Sequence, residues 1–80
     1  MIEVTIYKDL ASYSSQEILV NEKVLSDQQA TDIIESYKFE DHPDYLFEYE
    51  DEANHIHYFK YKNEWRSFNR FMEALTRGEI

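Results

Sequence analysis

His55 and His57 stand two residues apart in the run 54–62, and Glu48 and Glu50 share that spacing in the run 44–51. In an extended chain, side chains two apart project to one side. If the two runs pair as a hairpin, with Tyr49 beside Ile56 and Phe47 beside Tyr58, then His55 and His57 fall opposite Glu50 and Glu48. Two imidazoles and two carboxylates form a donor set for a divalent metal. The same residues also make a solvated strand face with cross-strand ion pairs, which needs no ligand. The plainer reading is retained, and neither a metal nor a cofactor is expected. His42, just before Pro43, reads as a loop residue.

Other catalytic chemistry finds little support. Paired carboxylates work as acid and base only where a pocket separates their pKa values, and the acids here alternate with aromatic residues as on a solvated face. The serines near residue 12 lack a nucleophile motif. Gly78 is the only glycine, so there is no glycine-rich phosphate loop. The expectation is a protein that is not an enzyme.

The acidic run is the feature with functional content. Glu40, Asp41, Asp44, Glu48, Glu50, Asp51 and Glu52 occur with no intervening Lys or Arg. On a strand, Glu48 and Glu50 would project to one side about 7 Å apart, at roughly 3.4 Å rise per residue. Glu40, Asp41 and Asp44 would approach that strand, and Asp51 and Glu52 would crown the hairpin tip. Such a row imitates a phosphate backbone and would attract the basic groove of a nucleic-acid-binding protein. Tyr45, Tyr49 and Tyr61 would supply aromatic anchors beside it. An acidic surface that only maintains solubility is the competing reading.

These residues must be held by a small framework. Eighty residues suffice for one domain and not two, so residues 1–80 are read as one acidic α+β domain. Residues 2–8 alternate as a half-buried strand, 9–15 read as a turn or loop, and 16–20 read as a second strand. Ser26 and Gln29 have the spacing of a capping box, with Leu25 and Ala30 placed for a hydrophobic staple. Ala30, Ile33, Ile34 and Tyr37 then give one apolar stripe, predicting a helix over 27–38. The runs 44–51 and 54–62 follow as a hairpin turning at Glu52-Ala53. Ser67 is placed to cap a last helix bearing Phe68, Phe71, Met72 and Leu75, which Gly78 ends. Trp65 is expected where strand meets helix. The predicted order is β-β-α-β-β-α, a two-layer α+β fold with a mainly antiparallel four-stranded sheet and two helices on one face.

Composition sets the class of partner. There are 17 acids and 8 bases, a net charge of −9, and residues 1–52 carry −11 against +2 for 53–80. This disfavours direct binding to nucleic acid or an anionic membrane and favours a basic protein, such as a nucleic-acid-binding protein or enzyme. The basic residues Lys60, Lys62, Arg66, Arg70 and Arg77 could meet the acidic half of another copy, so a homodimer is a further option. The absence of cysteine, of a signal-peptide pattern and of a long apolar stretch leads to a cytoplasmic expectation. In size and charge the chain resembles the short acidic proteins of phages and mobile elements. Some of those act as anti-defence inhibitors of restriction, CRISPR or DNA-repair enzymes by mimicking DNA. That resemblance implies a stoichiometric inhibitor and identifies no residue. The alternative is a structural or oligomeric module that makes its contacts through an aromatic surface.

Overall fold

A computed structural model describes residues 1–80. The chain forms β1 (Ile2–Tyr7), α1 (Leu10–Ser14), β2 (Ile18–Val24), α2 (Asp27–Ser36), β3 (Leu46–Asp51), β4 (Ile56–Tyr61), β5 (Glu64–Ser67) and α3 (Phe68–Arg77). The strands make one antiparallel sheet in the order β2-β1-β3-β4-β5. The α+β class and the antiparallel sheet agree with the sequence reading. The details differ, with five strands and three helices in place of four and two.

The alternation along each strand divides the apolar residues between two faces. Ile2, Val4, Ile6 and Phe47 pack with Ala30 and Ile34 of α2. Their chain neighbours Tyr7 and Leu46 pack on the other side with Phe59, Tyr61 and Phe71 of α3. Successive side chains on a strand point to opposite faces, so α2 and α3 lie on opposite sides of the sheet. The expected two layers are therefore three. Leu10 and Tyr13 of α1 join α3 on the second face. The physical reason is that the central strands carry apolar side chains on both faces, Ile6 and Phe47 on one and Tyr7 and Leu46 on the other, so each face needs its own helix.

Local chemistry sets the element ends. Ser26 Oγ accepts the Gln29 N–H, and Gln29 Oε1 accepts the N–H groups of Ser26 and Leu25, which completes the capping box. The staple does not form, since Leu25 is 82% exposed. Asp9 caps α1 by accepting the Ser12 N–H at 2.8 Å, which is why the serine-rich segment expected to be loop winds into a short helix. Ser67 caps α3, and Gly78, at φ 71°, ends it in the left-handed region. Strand β5 exists because Lys62 and Asn63 both adopt positive φ, 52° and 64°, closing a two-residue hairpin onto β4.

The β3–β4 hairpin differs from expectation by two residues. A turn of 3₁₀ helix, Glu52–Asn54, followed by His55 at φ 55°, replaces the two-residue turn at Glu52-Ala53. The favoured two-residue turns require positive φ at one or both positions, which Glu-Ala resists, whereas histidine is among the residues that tolerate it. Tyr49 thus pairs with Tyr58 and Glu50 with His57. An even shift leaves every strand residue on its expected face, but it moves His55 out of the strand.

Candidate functional site

The helices cover the sheet diagonally. On the first face α2 lies over β1 and its neighbours β2 and β3, leaving β4 and β5 bare; on the second, α3 lies over β4 and β5. Two quadrants of the sheet therefore remain open, and they differ in chemistry.

The open quadrant of the second face is polar. One rung across the sheet reads Lys23, Glu3, Glu50, His57, and the next reads Asn21, Thr5, Glu48, Phe59. Glu48 is the hub. Its Oε2 lies 2.7 Å from His57 Nε2, and its Oε1 accepts the Tyr7 hydroxyl at 3.3 Å. The His57 ring stacks on Phe68 at 4.7 Å. Asn21 donates to Glu3 and to Thr5 Oγ1. Burial, reinforced by the nearby Glu48 charge, pushes the Tyr7 phenol up to about 12. Tyr13 is raised for the same two reasons, burial first. Both therefore stay neutral near pH 7 and serve as donors and apolar surface. Glu48 thus bridges the His57 imidazole and the Tyr7 hydroxyl, and its carboxylate orients the ring.

The open quadrant of the first face is aromatic. Ile56, Tyr58 and Trp65 are 37%, 43% and 46% exposed, which is unusual for three large side chains side by side on two paired strands. Tyr49 borders them, edge-on to Trp65 at 6.4 Å. Its hydroxyl donates to Asp27 of α2 at 2.8 Å, and burial followed by this bond pushes its phenol up to about 12. Lys60 Nζ sits 5.8 Å from the Trp65 ring.

The residues expected to form one acidic row are distributed over both ends and both faces of β3. Glu48, Glu50 and Glu52 lie toward the hairpin end, where Glu3 joins them. Glu40, Asp41 and Asp44 lie in the α2–β3 connection at the opposite end, and Asp44 is bound to Lys62 at 2.7 Å. Asp51 is buried and accepts the Asn54 side chain. Tyr45 and Tyr49 pack on the α2 side, away from Glu48 and Glu50, with Tyr45 stacked on His42 at 4.3 Å. Tyr61 is core. The run is not neutralised by the chain's own arginines: Arg66 pairs with Glu64 and Arg77 with Glu73.

Sequence reasoning missed Ile56, Tyr58 and Trp65 as surface residues. The available signal was area, since the aromatic face of the hairpin exceeds what one helix can cover. No helix is long and apolar enough to cross a membrane. No protein-family model, no curated protein and no solved structure matches the chain.

Proposed function

We propose that the protein is a non-catalytic binding module that docks a basic protein partner on the open aromatic quadrant of its sheet. The observation that carries this reading is the exposure of Ile56, Tyr58 and Trp65 together on β4 and β5, with no helix above them. Trp and Tyr on a rigid strand pair are the side chains that most often dominate binding energy. The surrounding charge selects the partner. At −9, with the acids of 40–52 linked to no arginine, the molecule draws in a positive surface and repels a second copy of itself. A nucleic-acid-binding protein or enzyme is the partner class this favours.

The division of the acids between the two ends of β3 supports a steering field around an aromatic anchor over a continuous copy of a phosphate backbone. Anti-defence inhibition is accordingly one form this binding takes in the proposal, with occlusion arising from the docked sheet. The test is capture from native lysate of the source cells with wild type, Trp65→Ala and Glu40→Gln/Asp41→Asn, at low and high salt. The expected result is a stoichiometric basic partner that the Trp65 variant loses at all salts and the acidic variant retains more weakly. Equal capture by wild type and Trp65→Ala would remove the aromatic quadrant from the account. A salt-resistant dimer in sedimentation would favour the oligomeric reading instead.

A further inference from the structure

We propose that Glu48, Glu50 and His57 form a site for one divalent transition-metal ion, with zinc the best match. This concerns the polar quadrant and is independent of the aromatic docking surface. The three side chains offer one donor atom each, and these atoms lie within 4.8 Å of one another. They come from adjacent strands in fixed register: Glu48 and Glu50 alternate on β3, and His57 pairs with Glu50 from β4. His55, which the sequence suggested as the second imidazole, sits in the turn and takes no part.

The surroundings orient the donors. Phe68 stacks on the His57 ring and aims Nε2 at Glu48, while the Tyr7 hydroxyl holds the other Glu48 oxygen. Outer contacts of this kind fix ligand geometry around a metal. Zinc binds imidazole nitrogen and carboxylate oxygen at about 2.0–2.2 Å, which places tetrahedral donors roughly 3.3 Å apart. The 2.7 Å separation of His57 Nε2 and Glu48 Oε2 opens by about half an ångström to admit the ion, and the wider separations close by side-chain rotation. The ion would replace the hydrogen bond between His57 and Glu48. It would also answer the repulsion between Glu50 and Glu3, which face each other across β1 and β3. One nitrogen and two oxygen donors suit zinc or a neighbouring first-row metal over magnesium and calcium, which prefer all-oxygen shells. Three protein ligands leave a coordination position for water or a partner group.

The competing description is a hydrogen-bonded Glu48–His57 pair that takes up no ion. Calorimetric titration of chelator-treated protein with zinc chloride, and separately with magnesium chloride, distinguishes the two. The expected result is one zinc per chain, a shift of the His57 Nε2 resonance in nitrogen-detected NMR, and no comparable magnesium binding. Glu50→Gln and His57→Gln should each weaken zinc by about tenfold or more, with near-ultraviolet dichroism confirming the fold, while His42→Gln and His55→Gln leave it unchanged. Absence of zinc uptake, or uptake that survives both ligand substitutions, overturns the site. Should a substitution unfold the chain, the wild-type His57 resonance decides: an unmoved signal at saturating zinc refutes the proposal.

Discussion

Glu50 of β3 stands directly opposite Glu3 of β1, two carboxylates on the same face of adjacent strands. Like charges in that relation oppose strand pairing. The neighbouring positions, Lys23 beyond Glu3 and His57 beyond Glu50, offset this in part. Glu50→Gln should therefore stabilise the metal-free protein, by about 0.2–1 kcal/mol. Urea unfolding at low ionic strength checks this, and the gain should shrink in high salt. A loss of stability would mean that Glu50 makes a favourable contact in the absence of an ion.

Tyr7 and Tyr49 predict an alkaline limit to stability. Each donates its phenolic proton to a carboxylate, Glu48 and Asp27 respectively, and each phenol is raised from 10.0 to about 12. Above pH 10 the unfolded chain gives up these protons while the folded chain keeps them. The stabilisation is fully present below about pH 10 and is lost as pH rises through about 12. Unfolding free energy should fall across that interval, and Tyr7→Phe with Tyr49→Phe should flatten the fall. An unchanged slope in the double variant would place the alkaline sensitivity elsewhere.

Phe71 is fully buried and stacks on the equally buried Phe59 at 4.2 Å, joining α3 to the sheet. Phe71→Ala should cost about 3–5 kcal/mol. A domain of this size has a total stability toward the lower part of about 5–15 kcal/mol, so thermal unfolding should fall sharply or vanish. A loss below about 1 kcal/mol would show that the second core does not depend on this contact.

The parts of the fold legible in the sequence were those fixed by local rules. Ser26 and Gln29 announced the start of α2, and the alternation through β3 and β4 assigned Phe47 and Glu48 to opposite faces. The parts that were not legible depended on tertiary choices. Lys62-Asn63 carries no glycine, yet both residues take positive φ and create β5. Asp9 converts a serine-rich segment into a helix through one hydrogen bond to Ser12. The acidic run was visible as charge, but in space it divides, with Glu48 and Glu50 together on one face of β3 and the others elsewhere. Asp51 turns inward to Asn54, and Asp44 turns to Lys62. Trp65 was expected to pack where the strand meets the last helix, yet it is 46% exposed. Its exposure follows from the placement of α3 on the opposite face, which no local pattern encodes.

Trp65 is the only tryptophan and lies within the proposed docking surface, so hydrogen exchange and its own fluorescence report on the same event. The decisive measurement is hydrogen–deuterium exchange, with and without the purified captured partner, on wild type and Trp65→Ala. Docking on the open quadrant predicts protection over 56–61 and 64–67, a blue shift of Trp65 emission, and a loss of affinity for the alanine variant of about thirtyfold, the equivalent of about 2 kcal/mol. Protection confined to the α1–α3 side, with Trp65 emission unmoved, would contradict the account.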